Sequence, residues 1–244
     1  MDGALVTASS EVASSPAVNV QHPHLSTAWL GYPGVTAMSL TVDLLSVQEV
    51  GVVVVLAANL SPAGTVRVRL SATDPAALTA LVHDSGAQLV DPDLGGRLVD
   101  LFDPVMARHL RLDVADATLP QLSVGGLAVL PWFQPRHGIA FGWEDAPVER
   151  VNALTTRGGQ VWADFYGWQR GATFAFANLL EAEYRALAPA FMRHCGSRRD
   201  FLAVMDPLDP TGTSFWGRLQ RTPRWTNRDG SRLFSMPMEV VEAA

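Results

Sequence analysis

The stretch ARHLRLDVADATLPQLSVGGLAVLPWFQP, residues 107–135, decides the fold of this chain. In its first part Leu110, Leu112 and Val114 alternate with polar or charged residues. A period of two with one apolar face is typical of a half-buried β-strand. The stretch therefore predicts a strand that packs one face on a core and exposes the other face to water.

A second strand follows, and its alternation changes phase in the middle. Leu122 and Val124 share one parity, whereas Leu127 falls on the opposite parity. One extra residue at Gly125-Gly126 accounts for the change, and a β-bulge is the usual way to accommodate it. We therefore expect a bulge at these glycines.

Prolines mark a predicted boundary between two domains. Pro131 and Pro135 interrupt the pattern before the strand-like segment IAFGW begins, and 244 residues leave room for two domains of ordinary size. The 16 prolines and 20 glycines are typical of many short strands joined by turns. We predict a mainly β protein with a flexible leader at 1–18, a β-sandwich at 19–132 and a second β-domain at 133–244.

The charge differs between the two predicted domains. Residues 1–132 contain five arginines and twelve acidic residues, a net charge of −7, whereas residues 133–244 contain thirteen arginines and twelve acidic residues, a net charge of +1. The chain has no lysine, and arginine is the cation that protein interfaces favour. The overall acidity argues against nucleic-acid binding. No segment predicts membrane insertion or a signal peptide, and the single Cys195 excludes an internal disulfide.

The first domain resembles the discoidin-like, or galactose-binding-like, jelly rolls. The resemblance is carried by Trp29, by LTVDLLSVQEVGVVVVLAANLS at 40–61, by VRVRLSATD at 66–74 and by residues 107–130. Within it, the apolar run VGVVVVLAA is typical of a central strand covered on both faces. Members of this family bind sugars through loops at one end of the sandwich, and some hold a structural calcium ion.

The resemblance implies two sets of candidate ligands in this domain. Trp29 and Tyr32 fit a sugar-stacking platform, although a core tryptophan beside a turn tyrosine is the alternative. Asp91 and Asp93 in DPDLGG fit a calcium site, although solvated turn residues are the alternative. Apart from this calcium ion we expect no cofactor and no other metal.

The second domain combines a hairpin, further strands and one helix. VERVNALTTRGGQVWADFYGW predicts a hairpin that turns at Gly158-Gly159. A helix over about 179–195 is indicated by an apolar face with helical spacing, by Asn178 as N-cap and by Gly196 as a stop. These elements predict a β-sandwich or split barrel with one flanking helix.

The whole arrangement resembles distal-tail and baseplate proteins of tailed bacteriophages. The resemblance rests on residues 148–176, on MRHCGSRRDFLAVMDP at 192–207 and on the FWGRL strand at 215–219, and it departs from the family because the lectin-like domain comes first. It implies a virion protein of the phage tail, made in the host cytoplasm, whose second domain forms a ring of six or three copies. Partners would be tube, hub and fibre proteins and host glycans. The expected interface residues are Arg193, Arg198, Arg199, Arg218, Arg221, Arg224 and Trp225.

Catalysis is not expected. The chain lacks the phosphate-binding GxxxxGK[ST], the GxSxG nucleophile elbow and the HExxH zinc motif. His137, Glu144 and Asp145 form a possible acid/base cluster, but neighbouring carboxylates do not supply the separation that glycoside hydrolysis needs. Two functions stay open: an assembling tail protein, or a free carbohydrate-binding module.

Overall fold

The structure is a computed structural model that describes residues 3–90, 92–140, 142–155, 157–196, 198–227 and 232–242. It divides into two compact units, Met1–Trp132 with Pro207–Gly212, and Phe133–Asp206 with Thr213–Ala244. Strands dominate, and the described residues contain one α-helix, so the predicted mainly β class is confirmed. Within these ranges no helix has both the length and the apolar character to cross a membrane.

The first unit is built around two long, bent strands. Its described strands are β1 (Leu5–Ala8), β2 (Trp29–Leu30), β3 (Ala37–Leu56), β4 (Thr65–Ser71), β5 (Leu81–Asp84), β6 (Gln88–Leu89), β7 (Leu98–Ala115), β8 (Ser123–Val124) and β9 (Gly126–Leu130). Near its start β3 lies between β1 and β7, and near its end it lies between β9 and β7. All of these pairings are antiparallel, so β3 and β7 belong to both halves of one folded sheet.

The two halves of the folded sheet share one hydrophobic core. Leu40 and Leu110 from the first half and Val53, Leu98 and Leu127 from the second half belong to the same buried cluster. Burying a Leu or Val side chain stabilises a fold by roughly 1.5–3 kcal/mol. The alternation predicted around residue 110 is confirmed, and so is the central position of the valine run, since Val52–Val55 pairs on both sides.

The glycine pair changes the partner of the strand. Val124 ends β8, which pairs with β2, whereas Gly126 begins β9, which pairs with β3. A Cβ atom at Gly125 would lie 2.7 Å from the Cβ of Ala57, so only glycine fits this close approach. The predicted change of phase is confirmed, because Leu122, Val124, Leu127 and Val129 are all buried. The predicted bulge is corrected to a break between two short strands.

The predicted flexible leader is wrong over most of its length. β1 pairs with β3 from Leu5↔Asp43 to Ala8↔Leu40. A 3-10 turn at Ala17–Gln21 buries Ala17 and Val20 in the core. Small residues at the start of the chain suggested mobility, but the backbone ladder to β3 and these two apolar side chains hold the segment in place.

The second unit is one six-stranded antiparallel sheet with a helix. Its elements are β10 (Glu144–Thr155), β11 (Val161–Leu180), α1 (Glu181–His194), β12 (Phe201–Val204), β13 (Ser214–Leu219), β14 (Thr226–Asn227) and β15 (Leu233–Glu242). The sheet order is β10-β11-β15-β13-β12, with β14 beside β15. Phe174, Phe215, Met236 and Met238 form its buried core. The predicted hairpin is confirmed, because β10 pairs with β11 on either side of the turn.

The helix lies where the sequence predicts it, but its cap differs. Leu180, not Asn178, is the N-cap, and its backbone N–H donates to a carboxylate oxygen of Glu183 at 2.8 Å. Pro189 lies inside the helix without dividing it. β11 extends through Asn178 to Leu180, and the helix begins directly after it, so Asn178 cannot act as the N-cap. Glu183 instead accepts the free backbone N–H of Leu180.

Candidate functional site

Trp29 and Tyr32, the two candidate sugar-stacking residues, differ in their exposure to solvent. Trp29 is 0% exposed, and its indole N–H donates to the backbone oxygen of Ser10 at 2.9 Å. The proposed role of Trp29 in sugar stacking is therefore wrong, because no face of the ring reaches solvent. Tyr32 is 56% exposed, which leaves its ring open to a ligand.

The loop that carries Tyr32 is fixed by hydrogen bonds. The backbone N–H of Tyr32 donates to Ser10 Oγ at 2.9 Å. On either side, Gln121 Nε2 donates to the oxygen of Gly31 at 2.8 Å, and the N–H of Gly34 donates to the oxygen of Pro120 at 2.8 Å. A fixed backbone lowers the entropy that an aromatic side chain loses on binding. Tyr32 is thus an exposed ring on a rigid loop.

Asp116 organises the neighbouring loops. Its carboxylate accepts the backbone N–H of Ser61 at 2.7 Å and the N–H and hydroxyl of Thr118 at 2.8 and 2.6 Å. Burial alone would raise the pKa of Asp116, but these hydrogen bonds outweigh burial and hold the pKa well below its ordinary value. The Asp116 carboxylate therefore ties together the loops at residues 59–64 and 116–122.

The calcium candidates lie outside what the structure describes. Asp91 is not among the described residues, and neither is the side chain of Asp93. Among the described residues, no three or more His, Cys, Asp or Glu side chains lie together so that they could hold a metal ion. The calcium site therefore stays a prediction.

A second exposed surface lies where β3 and β7 bend. We call it the bend patch and define it by three exposed apolar side chains, Leu45, Val47 and Met106, and two exposed carboxylates, Glu49 and Asp103. Glu49 pairs directly with Met106, and the register of β3 shifts between Asp43 and Gln48. Because paired residues share a face, Glu49 places its charge beside the apolar side chain of Met106.

Asp43 holds the bend patch in shape. Its carboxylate accepts two hydrogen bonds from Arg108 and one from the backbone N–H of Leu45, each at 2.8 Å. The Arg108 guanidinium is the main reason that the pKa of Asp43 lies far below its ordinary value. Leu45 has φ +68°, a left-handed conformation that costs a non-glycine residue free energy. The bend thus exposes Leu45 at an energetic cost that the Asp43 contacts offset.

A third exposed surface is the end of the β10–β11 hairpin. We call residues 151–155 of β10, residues 161–165 of β11 and the turn residues 157–160 between them the hairpin arm, because among the described residues these parts of β10 and β11 pair only with each other. Trp162 is 68% exposed, and Leu154 and Val161 are each 65% exposed. Leu154 pairs with Trp162 on one face, and Val161 lies on the other. An isolated two-stranded ribbon is at best marginally stable in water.

The predicted arginine interface is mostly exposed. Arg218 is paired with Asp200 at 3.1 Å and Arg221 with Glu239 at 3.8 Å. Trp225 packs edge-on against Tyr184, with ring centroids 5.0 Å apart, and so contributes to the core of the second unit. Whether any arginine of the set contacts another molecule stays a prediction. The exposed members are Arg193, Arg198, Arg199, Arg218, Arg221 and Arg224.

Two members of the possible acid/base cluster, Glu144 and Asp145, are adjacent in one strand of the second unit. Asp145 lies in β10 and forms an ion pair with Arg170 of β11 at 2.8 Å. Glu144 precedes it in the same strand, so the two side chains point to opposite faces of the sheet. That the chain is not an enzyme stays a prediction.

The bend patch and the hairpin arm were both missed from sequence, although each leaves a signal. The dipeptide Leu44-Leu45 breaks the alternation of β3, which marks an irregularity. In the hairpin, Val161 and Trp162 are adjacent apolar residues and therefore occupy opposite faces. Apolar residues on both faces of a strand require cover on both sides, and the arm has none within the described unit.

No family model matches the sequence, and no curated protein is similar to it. Several solved structures are similar to about half of the chain. A mutant chitosan-binding module of a Paenibacillus sp. IK-5 chitosanase/glucanase is 24% identical, with a TM-score of 0.42, and covers 52% of this chain and 93% of the module. A Clostridium perfringens family 32 carbohydrate-binding module, in complex with galactose, is 18% identical, with a TM-score of 0.41 and coverages of 52% and 92%.

A third similar structure is an enzyme. A GH29 fucosidase of Ruminococcus gnavus, in complex with fucose, is 15% identical with a TM-score of 0.45. The match covers 54% of this chain but only 26% of the fucosidase. With TM-scores below 0.5 and identities below 25%, these similarities define neither the family nor the function of the chain.

Proposed function

We propose that this chain is a subunit of a protein assembly, attached through the hairpin arm of its second unit. The exposure of Leu154, Val161 and Trp162 on both faces of a two-stranded ribbon carries the proposal. Exposed aromatic and aliphatic side chains at this density are the composition of a protein interface rather than of a solvated turn. Docking against another protein gives the arm the cover that its own sheet lacks.

The finer proposal is a structural component of a phage tail. It follows the resemblance of the second half to distal-tail and baseplate proteins, and it implies a virion protein made in the host cytoplasm. A heterologous interface with rotational symmetry closes into a ring, and three or six copies suit a tail axis. The first unit then projects from the ring towards fibres or glycans.

The assembly role is tested by the mass of the particle in solution. Sedimentation over a range of concentrations compares the wild-type chain with Leu154→Ser and Trp162→Ser. We expect a defined oligomer for the wild type and monomers for the variants, with unchanged circular dichroism. Leu5→Ser is the control, because Leu5 is an equally exposed apolar residue of the other unit. A wild type that stays monomeric, alone and with tail partners in negative-stain images, refutes the proposal.

A second function, glycan binding by the first unit, is supported by Tyr32. Its exposed ring stands on a loop fixed by Ser10 and Gln121, and an aromatic ring stacks on the apolar face of a sugar. This function suits either the projecting domain of an assembly or a free carbohydrate-binding module. The jelly-roll resemblance of the predicted first domain, residues 19–132, implies the same kind of ligand.

A glycan array tests this second function. Tyr32→Ala removes the stacking surface and is expected to abolish binding, whereas Tyr32→Phe keeps the ring and retains most of it. Both variants are expected to fold, since the Tyr32 side chain is exposed. Binding that survives Tyr32→Ala, or an array without any binding, rules out the Tyr32 site.

A further inference from the structure

Asn59 is an exposed residue in the loop that follows β3, and its side chain binds the backbone at the start of β8. Its Nδ2 donates to the backbone oxygen of Gln121 at 3.0 Å, and its Oδ1 accepts the N–H of Ser123 at 2.6 Å. The backbone N–H of Asn59 also donates to the oxygen of Ser123 at 3.2 Å. Both amide atoms of an exposed side chain are thus used to hold another loop in place.

Gln121 links this contact to the loop that carries Tyr32. Its Nε2 donates to the oxygen of Gly31 at 2.8 Å, and the N–H of Gly31 donates to the oxygen of Leu122 at 3.1 Å. Both backbone polar groups of the residue before Tyr32 are therefore bound by residues 121–122. A shift of Gln121 must also move Gly31, because a hydrogen bond weakens steeply away from its preferred distance and angle.

Tyr32 begins a tight turn that is held from its other end as well. The N–H of Val35 donates to the oxygen of Tyr32 at 3.2 Å, and Gly34 has φ +81°, as the third position of a type II turn requires. The N–H of Gly34 donates to the oxygen of Pro120 at 2.8 Å. Residues 120–122 therefore bind the backbone on both sides of Tyr32, whose ring is exposed.

We infer that Asn59 and Gln121 are positioning residues of the Tyr32 site. Asn59 fixes Gln121, Gln121 fixes the turn, and the turn fixes the ring on which a sugar stacks. A turn that is held before binding loses little conformational freedom when the ligand arrives, so the affinity is higher. This role rests on the proposed glycan function and adds to it two residues that act on the ligand through Tyr32.

Nuclear relaxation without any ligand tests whether the two residues hold the turn. Asn59→Ala removes both side-chain hydrogen bonds, and Gln121→Met keeps the length of the side chain but removes the donor. In the wild type we expect backbone order parameters of about 0.85 at Tyr32 and Gly34, as in a rigid backbone. In either variant they should fall below about 0.6, while those of the β3–β7 ladder stay unchanged.

Gln21→Met is the matched control for Gln121→Met. Gln21 is another glutamine of the first unit whose Nε2 donates to a backbone oxygen, that of Ala4 at 2.9 Å. Its substitution removes a hydrogen bond of the same kind outside the turn and residues 120–122. The order parameters at Tyr32 and Gly34 should therefore keep their wild-type values.

A glycan array tests whether the held turn matters for binding. Each glycan that the wild type binds through Tyr32 should be bound about five- to tenfold more weakly by Asn59→Ala and by Gln121→Met, with the ranking of the glycans unchanged. The loss is uniform because neither side chain contacts the sugar. A residue that does contact the sugar changes the ranking, since its hydrogen bonds favour particular hydroxyl groups. Gln21→Met should bind as the wild type does.

The outcomes separate positioning from glycan binding itself. Wild-type order parameters in both variants overturn the positioning role, even where the array shows binding through Tyr32. A mobile turn with unchanged glycan signals overturns it as well, because the affinity then does not depend on the turn. A rigid turn with a changed ranking also overturns it and makes Asn59 or Gln121 a direct contact of the sugar. An array on which the wild type binds nothing overturns the glycan function and the positioning role together.

Discussion

Trp29 in the first unit and Trp162 in the second are two tryptophans in β-strands of one chain, and water reaches only one of them. Trp29 is fully buried with its indole N–H bonded, whereas Trp162 is 68% exposed on the hairpin arm. The first ring stabilises the fold of its own unit, and the second is left open to solvent. The residue type is the same in both, so the difference arises from what packs around each ring.

The largest expected effect on stability comes from replacing the buried tryptophan, Trp29. Trp29→Ala should lower the free energy of unfolding by about 3–5 kcal/mol, because it leaves a cavity and removes the hydrogen bond to Ser10. Trp162→Ala should change the stability of the monomer by less than about 0.5 kcal/mol. Urea unfolding followed by circular dichroism, at concentrations where both variants are monomeric, measures the two values. Equal losses would show that the arm is part of a folded core.

Gly125→Ala tests the closeness of the backbones in the first unit. The new Cβ would lie 2.7 Å from both the Cβ of Ala57 and the backbone oxygen of Leu25, so the segments that carry these two residues must move. We expect a loss of about 1–3 kcal/mol in unfolding free energy. Gly159→Ala, at the turn of the hairpin arm, meets no atom within 4 Å and tests the cost of positive φ alone. A stable Gly125→Ala variant would contradict the close approach.

Glu183→Gln tests how the helix of the second unit is anchored. The Glu183 carboxylate accepts the N–H of Leu180 at 2.8 Å and that of Arg136 at 2.7 Å. Weakening two charge-assisted hydrogen bonds should cost about 1 kcal/mol. Glu181→Gln is the matched control, because among the described residues Glu181 forms ion pairs with two exposed arginines, Arg185 and Arg232. Identical thermal unfolding of the two variants would argue against the capping role.

The smallest expected effect concerns an ion pair on the outer face of the sandwich. The Arg67 guanidinium lowers the pKa of Asp84 from 3.8 to about 2. Because the folded pKa is the lower one, this stabilisation is complete above pH 3.8 and is lost as the pH falls towards 2. Asp84→Asn should remove that part of the acid sensitivity and little else, since the pair is partly exposed. Denaturant unfolding at pH 7 and pH 3 measures the loss of stability of the wild type and of the variant. An Asp84→Asn variant that loses as much stability as the wild type would contradict the prediction.

Much of the fold is visible in short-range patterns. The alternation at Leu110–Val114, the hairpin turn at Gly158-Gly159 and the helix near 179–195 each depend on local periodicity or turn chemistry, and the structure contains all three. The phase change at Gly125-Gly126 is equally local. The change of pairing partner at these glycines, from β2 to β3, depends on distant strands.

The other features of the fold and of the candidate site depend on contacts between residues that are far apart in the sequence. The valine run at residues 52–55 is buried on both faces, so it carries no alternation to show which face meets the core. β1 is held by its ladder to β3 rather than by its own small side chains. Among the candidate site residues, Trp29 and Tyr32 lie three positions apart, and only the packing around Ser10 separates the core ring from the exposed one.

The long reach of β3 has a consequence for synthesis of the protein on the ribosome. The valines of residues 52–55 pair with Leu98–Leu101 on one side and with residues 127–130 of β9 on the other. Neither partner exists when the valines leave the exit tunnel, because translation proceeds from the N-terminus. The nascent chain therefore carries an unpaired apolar strand until β7 and β9 follow. Such segments are binding sites for chaperones and starting points for aggregation, so the yield of folded protein should depend on how fast the next eighty or so residues are made.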